Sequence, residues 1–269
     1  MATKVGDNEQ CPCGSGRKYS ECHIGLFSTQ HWKAIRTNEA LSEILNSSKE
    51  LKIYYTNFVS KYANRITYAV DEAIETKLPS INIRNGTDSN GLHIIVFDSE
   101  NVGKAKDSII AHEYTHIIIQ EEKFPTILPK NPIYPNIANQ LNNVLQDPLI
   151  YVRLQPYFDV KKDFIMNVQG CVSDIIKNGL PNHGFYKITN SLICVRIYLI
   201  QKALFGEEDK TGFCKFIETN FPEFVKIISD ILCIFIKHGY DSPDKQKSII
   251  SDLITKYHLE QNIRQIILP

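Results

Sequence analysis

The sequence has no surplus of charge of either sign: 30 Lys and Arg balance 30 Asp and Glu over 269 residues. A nucleic-acid coat or a polybasic membrane anchor needs a basic excess, so neither class fits the whole chain. An apolar leader is missing as well, because residues 1–10 are polar and mixed in charge. Long apolar runs are scarce. The two most apolar stretches, 191–200 and 227–236, are interrupted by Arg196 and Asp230. They read as buried helices, not membrane spans. No segment repeats at solenoid period. An even set of cysteines is also lacking. There are seven, three of them within twelve residues, and Cys171, Cys194, Cys214 and Cys233 are scattered through helical-looking sequence. That distribution argues against a disulfide framework and is explained better by buried thiols plus an N-terminal metal cluster. The expectation is a soluble cytoplasmic protein without a membrane partner, and with nucleic acid met only through a ribosome.

What is present begins with residues 1–27. Cys11-Pro12-Cys13-Gly14-Ser15-Gly16 is too turn-rich for a helix or strand, and its glycines permit a left-handed, metal-wrapping backbone. Cys11, Cys13, Cys22 and His23 offer three thiolates and one imidazole, a closed tetrahedral zinc set. A segment this short has no core of its own, so metal would supply its folding energy. The string from Asn8 to His23 closely resembles the SEC-C motif. The resemblance implies a structural zinc and a docking role, towards a protein or ribosome. Arg17 and Lys18 suit an acidic partner or RNA phosphate, and equally a solvated turn.

Helical patterns follow at 30–47 and 51–61, and 65–76 reads as either helix or strand. Short strands are expected at 80–84 and 92–98, with Asn85-Gly86 and Asn90-Gly91 as turn chemistry between them. A helix is expected at 104–122, then a loop at 124–135 holding four prolines. Helices are expected at 136–154, 161–178, 185–205, 213–219, 222–237 and 243–257. The fold class is therefore α+β, mostly α: a zinc knuckle, a small sheet before one special helix, and a helical C-terminal half. The expected domains are 1–27 and 28–269, the latter divided into 28–122 and 123–269.

The special helix carries His112-Glu113-Tyr114-Thr115-His116. Residues four apart share a helix face, so both imidazoles reach one metal. Glu113 lies beside them as a base for water. Chance supplies such a string in roughly one chain in a hundred of this length. Apolar residues flank it (Ile109, Ile110, Ile117, Ile118, Ile119), where unpaired His and Glu would be costly and a metal satisfies them. A strand followed by an H-E-x-x-H helix resembles the zincin metallopeptidases, and the missing metzincin extension places the resemblance with the gluzincin or aspzincin type.

That resemblance implies a third ligand from a downstream helix. Asp147 is the only acidic residue between Lys123 and Phe158. It ends a stretch similar to the N-x-x-E-D helix of some gluzincins, with Gln146 at their Glu position. A carboxylate binds zinc better than a neutral amide, so Asp147 is chosen. Its competing role is a helix N-cap before Pro148. Glu121, Glu122, Gln146 and His183 are the other candidates. Tyr151, Arg153, Tyr157, His183 and Tyr186 are candidates to stabilise an oxyanion. The leading expectation is a zinc metallopeptidase using a zinc-activated water, with one catalytic and one structural zinc. Two alternatives stand beside it: a non-catalytic zinc-binding adaptor docking to a ribosome, chaperone or other protein, and a triggered toxin or defence peptidase.

Overall fold

The computed structural model describes residues 3–11, 16–22, 32–72, 83–87, 91–98, 101–130 and 135–266. The chain divides into two compact units, Met1–Ile118 and Ile119–Leu268. Helices dominate, with a small mixed sheet, as the α+β, mostly α expectation has it.

The sheet belongs to the first unit. Its strands are β1 (Trp32–Ile35), β2 (Ile66–Asp71), β3 (Ile83–Thr87) and β4 (His93–Phe97), in the order β1-β2-β4-β3. β2 and β4 run parallel, and both outer pairs are antiparallel. Every residue of β2 and β4 is buried, which is what a strand covered on both faces requires. Side chains alternate across the pleat, so each face can be read from the register.

One face holds Ala34, Ala69, Ile94 and Val96. The N-terminal segment covers it with Val5, Cys11 and Tyr19. The segment is tied on by backbone as well. Val5 N–H donates to Ala34 C=O (2.8 Å), Arg36 N–H donates to Thr3 C=O (2.8 Å), and Ala34 N–H donates to the Tyr19 hydroxyl (3.3 Å). Arg36 also pairs with Glu9, holding its carboxyl below the usual range. The described residues Val5, Cys11 and Tyr19 of the N-terminal segment are thus part of the core of this unit.

The opposite face of the sheet carries one register row, Ile35–Tyr68–Ile95–Asn85. Helix α4 (Asp107–Glu121) lies against this row, with the Tyr114 and Tyr68 hydroxyls hydrogen-bonded. The other α-helices among the described residues of this unit are α1 (Tyr19–Cys22), α2 (Thr37–Ser47) and α3 (Lys49–Tyr54). A π turn (Tyr55–Val59) and a 3-10 turn (Ser60–Arg65) continue α3.

Three sequence expectations change in this unit. The helix expected from residue 30 starts only at Thr37, because 32–35 pair as β1 and tertiary pairing overrides local preference. Within the ambiguous 65–76 segment, Ile66–Asp71 is the strand β2, and residues 73–76 lie outside the described residues. Asn85-Gly86 is not a turn: both residues pair with β4, and Gly86 lies under the Trp32 ring, 3.7 Å from where a Cβ would stand. The strand expected at 80–84 is observed at Ile83–Thr87, and residues 80–82 and the Asn90 turn position lie outside the described residues.

The second unit contains α5 (Pro135–Leu154), α6 (Val160–Asn178), α7 (Gly184–Phe205), α8 (Phe213–Asn220), α9 (Pro222–His238) and α10 (Pro243–Tyr257). Their shared core includes Leu141, Val144, Leu192, Val195, Ile231 and Ile249. By length and composition α7 suffices for a membrane span, against the expectation, yet half of that window is buried within the protein. Ser242 caps α10 by accepting from Lys245 N–H, with Pro243 at the first helical position, where no N–H is missed.

Two short strands were not expected. β5 (Thr126–Pro129) lies in the proline-rich loop and pairs antiparallel with β6 (Ile263–Ile266). Asn142 of α5 holds β5 by a two-way clamp. Its carboxamide accepts from Ile127 N–H (2.8 Å) and donates to Ile127 C=O (2.9 Å). The N-cap reading of Asp147 is overturned, since α5 runs through Asp147 and Pro148 without a break.

Tyr19 is fully buried between knuckle and sheet. Tyr19→Ala is expected to lower unfolding free energy by about 3–5 kcal/mol through the cavity it leaves. Tyr19→Phe, which loses only the hydroxyl, is expected to cost about 1 kcal/mol. Urea unfolding followed by circular dichroism measures both.

Candidate metal centre

Helix α4 spans Asp107–Glu121. Its hydrophobic pattern is not one-sided, because no residue of the helix is exposed and its central stretch is buried. Rotation about its axis must therefore be fixed by something more specific than apolar burial. Tyr114 and Thr115, the two middle residues of the H-E-x-x-H string, do this. Both are fully buried.

The Tyr114 hydroxyl hydrogen-bonds the Tyr68 hydroxyl of β2 at 2.8 Å, and its ring meets Tyr55 edge-on at 5.5 Å. Thr115 donates its single hydroxyl proton to Ala111 C=O (2.6 Å). Tyr54 must then be the donor in the 2.7 Å contact between the Tyr54 and Thr115 hydroxyls. Breaking either contact strands a polar atom in a dry interior, which costs more than an ordinary hydrogen bond contributes.

With the helix held this way, His112, Glu113 and His116 share one side. His112 is half-buried, while Glu113 and His116 are each 9% exposed. The imidazole rings stand edge to face, 4.9 Å between centroids. Their Nε2 atoms are 3.2 Å apart. Two nitrogens on a tetrahedral zinc, each at 2.0–2.1 Å, are separated by about 3.3 Å. The observed separation fits that edge, and two imidazole donors beside one carboxylate suit zinc chemically. Asn85 of β3 donates its carboxamide N–H to Glu113 Oε2.

Asp147 is buried in the second unit, on α5. Arg196 of α7 places Nη1 3.4 Å from Asp147 Oδ2. Gln146 beside it is buried too. Tyr151 follows one turn later. Burial, with the Asp147 carboxylate adding to it, pushes the Tyr151 phenol up to about 12. Glu122 accepts from Arg153 at 2.7 Å on an exposed surface, so both have a simple structural role. Glu121 ends α4. His183 is exposed at the N-cap of α7, its ring against Tyr186 at 5.3 Å. Tyr157 packs near Phe158. Asn85, Tyr54, Tyr68 and Arg196 were not anticipated. Only strand register or helix pairing reveals the first three, and Arg196 read as a mere interruption of an apolar run.

Backbone pairs join the described residues on either side of residues 12–15. Cys11 N–H donates to Arg17 C=O (2.8 Å), Gln10 bridges Lys18, and Gly16 has φ +72°, a conformation that favours glycine. Cys11 is buried, and Cys22 ends α1. Cys13, His23 and the Cys22 side chain lie outside the described residues.

Comparison with known proteins finds the SEC-C motif at residues 8–24. The chain therefore carries a zinc-binding module of that type at its N-terminus. No curated protein and no solved structure matches the chain.

The Tyr68 and Tyr114 phenols are held well above the ordinary value of 10.0, chiefly by burial. Folded and unfolded chains are then equally protonated below pH 10. Above it only the unfolded chain releases these protons, so stability is full below pH 10 and falls as pH rises. The expected slope is about 1.4 kcal/mol per pH unit for each phenol. Tyr68→Phe should flatten the fall by one phenol's share in unfolding titrations from pH 8 to 11.

Proposed function

We propose that the chain is a zinc metallopeptidase of the zincin type that cleaves cytoplasmic protein or peptide substrates. The observation that carries this reading is the convergence of His112 and His116 Nε2 at 3.2 Å, with Glu113 adjacent. His112 and His116 bind the zinc, and Asp147 is the third ligand. Each of the three offers a donor atom of a type that zinc takes, imidazole nitrogen or carboxylate oxygen. A buried carboxylate is also a stronger donor than Gln146. Arg196 orients Asp147, much as outer partners commonly orient carboxylate ligands.

Zinc held there supplies a Lewis acid for water and for the scissile carbonyl. Glu113 takes a proton from the attacking water and delivers it to the leaving amine nitrogen. The low exposure of Glu113 keeps bulk water from competing for that proton. The Tyr54–Thr115 and Tyr68–Tyr114 contacts keep the carboxylate and both imidazoles on one side of α4.

A non-catalytic adaptor is the second reading. It is favoured by the exposure of Arg17 and Lys18 on the SEC-C module, where a ribosome, chaperone or other protein could dock. Glu113→Gln separates the two. A peptidase should keep its zinc and lose about 10²–10⁴-fold in cleavage rate of labelled casein. An adaptor should show no cleavage in wild type or variant. His116→Ala should remove one zinc and all cleavage in the first case.

A further inference from the structure

The row Ile35–Tyr68–Ile95–Asn85 crosses all four strands on one face of the sheet. Two of its members grip consecutive residues of α4. Tyr68 holds Tyr114 from the centre of the sheet, and Asn85 holds Glu113 from the outermost strand, β3. The other face of β3 is anchored as well, since Arg84 pairs with the buried Asp71 and lies over the Trp32 ring. The Asn85 carboxamide is thus a fixed donor on a braced strand.

Resting on the metallopeptidase reading, we propose that Asn85 is the positioning residue for Glu113. Its N–H holds Oε2 and so fixes the plane of the carboxylate, whose Oε1 serves as the proton-accepting oxygen. The water proton passes to Oε1 and leaves from Oε1 to the amine nitrogen, while the Asn85 bond to Oε2 persists through both transfers. A neutral amide suits this task. Lys or Arg at the same place would stabilise the carboxylate anion and weaken it as a base, and Asp would compete for the proton.

The test uses the zinc-loaded full chain with fluorescein-labelled casein. Asn85→Ala is expected to lower kcat about 10–100-fold through misorientation of the base, with KM within about twofold and zinc content unchanged. Asn85→Gln should recover part of kcat. Asn85→Asp should move the acid limb of the pH–rate profile upward, because two carboxylates then share a proton. The Asn85 side-chain amide resonances should shift in Glu113→Ala, whatever the activity. An unchanged kcat in Asn85→Ala, or joint loss of kcat and zinc, overturns the proposal. Unshifted amide resonances with casein cleavage intact overturn the role of Asn85 alone. Shifted resonances in a wild-type protein that cleaves nothing overturn the metallopeptidase reading, and the proposal with it.

Discussion

The rotation of one buried helix about its axis governs the rest. Helix α4 has almost no solvated face, so apolar burial alone tolerates several settings of it. The Tyr68–Tyr114 and Tyr54–Thr115 hydroxyl contacts select one. That setting brings the Nε2 atoms of His112 and His116 to 3.2 Å and leaves Glu113 within reach of Asn85. A turn of the helix by one residue would exchange inward hydroxyls for imidazoles and leave polar atoms unpaired inside.

The first unit reads as three layers: knuckle, sheet, α4. The sheet's two faces have different tasks. One packs Ala34, Ala69, Ile94 and Val96 against Val5, Cys11 and Tyr19. The other presents the row that grips α4. A zinc-binding module that closes one face of the sheet therefore contributes to the rigidity of the layer behind His112, Glu113 and His116. Its inward-facing residues are spent on packing, and Arg17 and Lys18 remain on the outside.

Much of this was legible in sequence because the relevant signals are local. Ligand spacing marks the knuckle and the H-E-x-x-H helix. The C-terminal helices announce themselves through apolar periodicity, and Pro243 marks one start. What was misread depends on pairing between distant segments. Trp32–Ile35 looks like the start of a helix until β2 lies beside it. Asn85-Gly86 has turn composition, yet β4 and the Trp32 ring hold it extended. Asp147-Pro148 resembles a helix start, and α5 absorbs the proline because the surrounding core secures both halves of the helix. Asn85 carried only that turn signal, since its contact with Glu113 exists only once the register of β3 against β4 is known.

Zinc stoichiometry combined with anomalous scattering tests the metal centre most directly. Two zinc ions per chain are expected, one at the knuckle and one between His112 and His116, with His116→Ala retaining only the first. A single zinc that disappears on substitution of Cys11, with the two imidazoles bonded to each other in zinc-saturated crystals, would contradict the claim that this helix holds a metal.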